Sequence, residues 1–193
     1  MNEKQRILLH CCCAPCASSV LERLIPQYDI NVVFYNPNIE PQEEYEKRKK
    51  ELAKLLLDMP LLLDVKQIEN EYDNAAFKHV ALSLRKEHEG GERCRACFKL
   101  RLSETARIAK TGEYDMFATT LSVSPHKNAK ILNEIGNKQA KKYDIEYLNS
   151  DFKKQDGYKR SIELSHEYGL YRQNYCGCQS LQQEVISRSN NKG

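Results

Sequence analysis

The sequence lacks any long hydrophobic run. Its first apolar stretch, Ile7-Leu8-Leu9, is far shorter than the roughly 18 to 20 residues of a membrane span. No charged, apolar, small-residue leader occupies Met1 to Leu9. The expectation is a soluble, cytoplasmic protein that engages no membrane. A dominant charge is missing too: 30 Lys plus Arg against 27 Asp plus Glu leave a formal +3 and a pI near 8.3. That falls short of the pI above about 9 that marks a nucleic-acid-binding domain by charge alone. The runs Lys47-Arg48-Lys49-Lys50, Lys141-Lys142, Lys153-Lys154 and Lys159-Arg160 read as solvated faces. Lys153 to Arg160 stands apart because it reads as a loop. No repeat, low-complexity segment or Pro/Gly-rich linker divides the 193 residues, which predicts a single domain over 1–186 with a disordered tail, SRSNNKG, over 187–193.

Short apolar runs predict strands at Ile7–His10, Ile30–Tyr35, Leu61–Val65, Met116–Thr120 and Ile145–Leu148. Between them, apolar residues three and four apart predict helices over Ser18–Leu24, Gln42–Leu57, Asn74–Leu84, Cys97–Lys110 and Asn128–Tyr143. Strands alternating with helices of this length predict an α/β fold: a Rossmann-like, open, mainly parallel sheet of about five strands with helices on both faces. In such a sheet ligands bind beyond the carboxyl ends of the strands. The first of those positions carries no glycine-rich phosphate loop. It carries Cys11, Cys12, Cys13 and Cys16.

Cysteine is what the chain has in excess. All 8 cysteines fall in three short segments, HCCCAPC at His10 to Cys16, GERCRACF at Gly91 to Phe98 and YCGC at Tyr175 to Cys178. Disulfides rarely persist in a reducing cytosol, so such clustering points to metal. Cys94 and Cys97 form a CxxC at the start of a helix, where free backbone N–H groups favour thiolates. The adjacent side chains of Cys12 and Cys13 diverge and suit separate irons of a cube better than one tetrahedral ion. A [4Fe-4S] cluster on Cys12, Cys13, Cys94 and Cys97 is therefore expected in place of a structural zinc. Cys16, Cys176 and Cys178 remain, with Cys11 spare. Three protein ligands leave a coordination position open for substrate, and Gly177 supplies the hinge that a CxC needs. The partition into two sites is an expectation.

Six segments together resemble the epoxyqueuosine reductases of the cobalamin-independent QueH type: HCCCAPC, FYNPNIEP (Phe34 to Pro41), EGGERCRACFKLRL (Glu89 to Leu102), ATTLSVSPHKN (Ala118 to Asn128), DFKKQDGYKRSIELS (Asp151 to Ser165) and LYRQNYCGC (Leu170 to Cys178). The resemblance spans nearly the whole chain. It implies reduction of the epoxide of epoxyqueuosine, already installed in a tRNA anticodon, to the alkene of queuosine. It also implies a [4Fe-4S] cluster on Cys12, Cys13, Cys94 and Cys97 and a second, mononuclear iron on Cys16, Cys176 and Cys178. Some relatives carry Asp at the position of Cys16, and the position of Cys11 need not be Cys, which leaves Cys11 outside both sites.

Opening an epoxide to an alkene consumes two electrons and expels a poor leaving group. It needs an electron supply, here an external small iron-sulfur or flavin protein, and an acid at the oxygen. Tyr175, His10 and Asp151 are candidate proton donors. Lys153, Lys154, Arg160 and Arg172 are candidate phosphate contacts for tRNA, with Tyr158 or Tyr171 available to stack on a base. Two rivals differ in class. A cluster-bearing tRNA sulfurtransferase would need an ATP-binding SGGxDS-type loop after the first strand, which is absent. A zinc-stabilised nucleic-acid-binding module would need adjacent cysteines to close a tetrahedral site.

Overall fold

Ile7, Leu8 and Leu9 have no exposed surface at all, as in a strand covered on both faces. In the computed structural model, which describes residues 4–178, they lie in β1 (Arg6–His10), the central strand of a sheet. The predicted tail lies outside the described residues. β1 pairs in parallel with β2 (Asp29–Val33) on one side and β4 (Met116–Thr119) on the other. The edges are β3 (Gln67–Ile68) beside β2 and β5 (Glu146–Tyr147) beside β4, both parallel as well. The order β3-β2-β1-β4-β5 makes a 5-stranded sheet, all parallel.

Successive side chains of a strand face opposite sides, and two separate cores form. Ile7 and Leu9 pack with residues of α1 (Ala14–Leu24), α2 (Gln42–Asp58) and α6 (Gly157–Glu167). Leu8, Val33 and Phe117 pack with Leu102, Ala106 and Ala109 of α4 (Glu92–Thr111) and with residues of α5 (Ala129–Tyr143). The short α3 (Asn74–Ala81), capped by Asp73 accepting from the Ala76 amide at 3.0 Å, brings Phe77 against the cysteine-bearing turn of α4. At roughly 2 kcal/mol for each fully buried Leu or Phe side chain, these two layers fix the strand register and so the loops at the strand ends.

Two predicted elements differ. The strand expected at Leu61–Val65 is a 3-10 turn over Pro60–Leu62, and β3 follows it. Pro60 lacks the ladder donor and starts the turn, and of the three leucines only Leu62 is buried, so the run is not one strand face. The segment Lys153 to Arg160, expected as a loop, is a turn only through Asp156; Lys159 and Arg160 stand on α6.

The strand order reverses between β1 and β4. The crevice at their carboxyl ends is where an open α/β sheet binds ligands, and His10-Cys11-Cys12-Cys13 and Thr119-Thr120 leave the sheet there.

Candidate metal centre

The turn after β1 is short: Cys13 is the extended cap residue of α1, followed by Ala14 and Pro15. Pro suits the first turn of a helix because its missing donor would be unpaired there anyway. This geometry gathers Cys12, Cys13 and Cys16, whose sulfurs lie within 4.8 Å of one another. Cys12 Sγ and Cys13 Sγ are 3.8 Å apart. It is the one such His/Cys/Asp/Glu group among the described residues, and it could hold a metal. Thr120, just past β4, clasps Cys12 across the crevice: its hydroxyl oxygen accepts from the Cys12 amide at 3.3 Å and donates toward Cys12 Sγ at 3.6 Å. Cys11 points the other way, into the core beside Ile7, Leu9 and Ala14, with its thiol toward the Leu9 carbonyl.

The second group of thiols comes from α4 and the loop after α6. Cys94 and Cys97 lie in the first turns of α4, and the Gly90 amide donates to Cys94 Sγ at 3.3 Å. Cys97 and Cys178 are buried together against Phe77, with Cys176 alongside, while Cys94 and Cys12 both pack against Phe98, Leu121 and Leu132. Gly177 has φ +127, and a Cβ there would stand 2.8 Å from Ile39 Cγ1, so only glycine fits this CxC. The loop is clamped by Arg48 of α2, 2% exposed, which donates to the Cys176 and Tyr175 carbonyls at 3.3 and 3.4 Å. Glu44 neutralises Arg48 at 2.7 Å. The Glu40 amide donates to the Gly177 carbonyl at 2.9 Å.

A cavity of about 420 Å³ opens over the thiols, lined by Cys12, Cys13, Cys16 and Cys176 together with Arg101, Lys127, Tyr175 and others. Within the triad the charge settles on Cys12. Hydrogen bonds from Cys13 and Cys16 hold its thiol well below the ordinary range, outweighing burial, with Lys127 and Arg101 assisting. Cys13 is pushed up to about 12, chiefly because it donates to Cys12, and Cys16 rises for the same reason. Burial raises Cys94, and pushes Cys97 up to about 12.

Arg101 and Lys127 received no role from the sequence. Arg101 stands one helical turn after Cys97 on α4, is 1% exposed, and points Nη1 at Cys97 Sγ from 4.0 Å. Its other terminal nitrogen binds Asn36 Oδ1, and Asn36 in turn donates to the Cys11 carbonyl at 2.9 Å. The i, i+4 spacing to Cys97 was the available signal. Lys127 immediately precedes Asn128, the cap of α5. Burial works against both charges, yet nearby thiols raise both: Cys97, Cys12 and Cys176 around Arg101, and Cys176, Cys12 and Cys16 around Lys127.

Of the proposed proton donors, Tyr175 alone lines the cavity; its hydroxyl donates to the Glu40 carbonyl at 2.9 Å and its ring lies under Arg48. His10 is fully buried beneath the sheet end. Its Nε2–H donates to the Tyr35 carbonyl at 3.1 Å and its Nδ1 accepts from Thr119 Oγ1 at 2.9 Å. Burial, then Arg101, lowers its pKa to about 3, so it is a neutral strut. Asp151 is paired with Lys153 at 2.7 Å, away from the cavity wall. Among the candidate phosphate contacts, Arg172 lines the cavity and so does Tyr158. Arg160 is held by Glu22 at 2.7 Å and by Glu163 at 3.2 Å. Lys154 is exposed in the turn. Tyr171 is committed to Glu44 through its hydroxyl and to Lys47 across its ring face.

No helix among the described residues is long and apolar enough to cross a membrane. Residues 7–184 match the family model described as epoxyqueuosine reductase QueH. Three proteins of that name are similar to the chain. The one from Staphylococcus epidermidis is 44% identical over 181 residues, covering 92% of this chain and 76% of the relative. That of Staphylococcus aureus is 42% identical, with 98% and 81% covered. That of Streptococcus pyogenes is 42% identical, with 89% and 68% covered. The match takes in the β1 turn, the start of α4 and the CxC loop, which carry the gathered thiols, and the chain belongs to the QueH family of epoxyqueuosine reductases.

Proposed function

We propose that this protein reduces the epoxide of epoxyqueuosine in tRNA to the alkene of queuosine, with an iron-sulfur cluster and a neighbouring iron held by its cysteines. The observation that carries the reading is the convergence of Cys12, Cys13, Cys16 and the distant Cys176 on one cavity that Arg101 and Lys127 also line, with Cys94 and Cys97 of α4 packed beside them. The donor set fits iron: no disulfide joins the described thiols, they are soft ligands, and they outnumber what a single tetrahedral ion takes. Cys12, Cys13, Cys94 and Cys97 would hold the cube, and Cys16, Cys176 and Cys178 the second iron. When bound, the metal groups supply electrons one at a time and a Lewis acid for the epoxide oxygen.

The reaction balances as epoxide plus two electrons and two protons giving alkene and water. The electrons come from an external donor protein. The chain's own groups orient and protonate. The cavity offers a nucleoside-sized space over the thiols. Tyr175 would turn its Oη proton from the Glu40 carbonyl to the departing oxygen. At the rim, Tyr158 is a face on which a base can stack and Arg172 a partner for an anticodon-loop phosphate. Thr120, Gly90 and Arg101 donate toward Cys12, Cys94 and Cys97, which favours the thiolates that a metal would need and, at Cys94 and Cys97, works against burial.

The test is anaerobic. The protein is reconstituted with iron and sulfide, given a reductant and tRNA bearing epoxyqueuosine, and the tRNA is digested to nucleosides. Queuosine is expected; its absence from a protein carrying a demonstrable cluster sinks the proposal. A colourless, zinc-replete, air-stable protein would favour a structural zinc module.

A further inference from the structure

Buried cations are costly unless paired with an anion. The cavity has four Lys or Arg on its lining: Arg48, Arg101, Lys127 and Arg172. Arg48 is neutralised by Glu44 at 2.7 Å, and Arg172 is exposed at the rim, donating to Ser161 and Ser165. Arg101 and Lys127 are different. Neither forms an ion pair with a carboxylate among the described residues. The partners of Arg101 are the neutral Asn36 side chain and Cys97 Sγ, and its Nε has no hydrogen-bond partner. Glu89, the one carboxylate on the cavity lining, is exposed and bonded to neither. Both line the cavity together with Cys12 and Cys176, Lys127 half-buried and Arg101 fully so, and Arg101 points Nη1 at Cys97 Sγ from 4.0 Å. They come from separate elements, α4 and the turn before α5.

We infer that Arg101 and Lys127 are positioning residues that act through the metal group, a built-in pair of counter-charges that raises the reduction potential of a cluster held by these cysteines. The inference rests on the iron-sulfur reading above. A cube core of about two positive charges bound by about four thiolates keeps a net charge of about two negative, and one-electron reduction adds another. Two fixed cations match the oxidised charge, and their attraction grows with the added electron. A weaker reductant then suffices to load the site.

The experiment compares the unsubstituted protein with Lys127→Gln and Lys127→Arg after anaerobic reconstitution, measuring iron and sulfide content and following reduction by electron paramagnetic resonance at set potentials. Lys127 is chosen because it is partly exposed and outside the core, unlike Arg101. Lys127→Gln is expected to shift the half-reduction point by about tenfold, about 59 mV for a one-electron couple, to more negative potential, with Lys127→Arg remaining near the unsubstituted protein. A folded Lys127→Gln that takes up no iron, with Lys127→Arg loading fully, supports the charge balance as well. Three results overturn it: a Lys127→Gln half-reduction point that moves by less than a threefold change in the reduction equilibrium, a Lys127→Arg shift as large as that of Lys127→Gln, or loss of iron from both variants. If the unsubstituted protein takes up no cluster, the iron-sulfur reading falls and the inference with it; if all three load and only the potential is unmoved, the inference alone falls.

Discussion

The thiols on the sheet side of the cavity and those on its loop side are held by different means. Cys12, Cys13 and Cys16 sit on the central strand's exit and the first turn of α1, so two hydrophobic layers and the β1–β4 pairing set their positions. Cys176 and Cys178 sit on an irregular loop whose place depends on polar clamps, chiefly Arg48 and the Glu40 amide. Packing distributes the cost of a change over many neighbours, whereas a clamp concentrates it in one side chain. Substitutions on the loop side should therefore release thiols, and those on the sheet side should lower stability while leaving the thiols in place.

The largest effect is expected from Arg48→Ala. It removes the counter-charge of Glu44, which keeps the Tyr171 hydroxyl, and unclamps the Tyr175 and Cys176 carbonyls, at a cost of about 3 kcal/mol. Urea unfolding and iron content check this; iron loading should fall to the share the other cysteines keep. Full loading in Arg48→Ala would erase the distinction. Gly177→Ala comes next. At φ +127, with Ile39 in the way, it should cost about 1–3 kcal/mol and lower iron content, with β1 amide protection in hydrogen exchange unchanged. Thr120→Val removes the clasp on Cys12 at about 1 kcal/mol. Its melting temperature should drop by a few degrees while iron content stays near normal, since the strand still places Cys12.

Cys11→Ala sharpens the contrast within the sheet side. It should lose about 1 kcal/mol from the core with iron and sulfide content unchanged, and a loss of iron would reassign Cys11 as a ligand. The smallest effect belongs to the surface pair of Glu22 and Arg160. Arg160 lowers the Glu22 pKa, so the pair's contribution is present above the carboxylate's unfolded pKa and disappears as pH falls through the lowered one. Glu22→Gln should cost about 0.5 kcal/mol at neutral pH and nothing in strong acid; an undiminished gap in acid would contradict the pairing.

The strand-helix alternation and the cysteine segments were legible because their signals are local. Fully apolar β1 runs straight into HCCC, and Cys94 and Cys97 lie one helical turn apart. Leu61-Leu62-Leu63 misled because a continuous apolar run has no alternation to separate a strand from a turn, and Leu61 and Leu63 prove exposed. The α6 start was hidden because its cap position, Asp156, has φ +58 and makes no side-chain capping bond. Arg101 and Lys127 received no role from the sequence, since nearness to thiols of other segments is a tertiary property. His10 and Asp151 lay near cysteine or basic motifs in sequence, but nearness along the chain says nothing of which side of a strand end a group faces.

The tight turn between β1 and α1 also has a consequence for biosynthesis. Cys12, Cys13 and Cys16 lie within five consecutive residues, and 78 positions separate Cys16 from Cys94. At about 5–20 residues per second, a ribosome spends about 4 to 16 s making that interval. Throughout it the nascent chain carries a crowded trio of thiols without the helix, the cations or the loop that later enclose them. The growing polypeptide is thus most open to oxidation and to stray metal well before the cavity around these thiols exists.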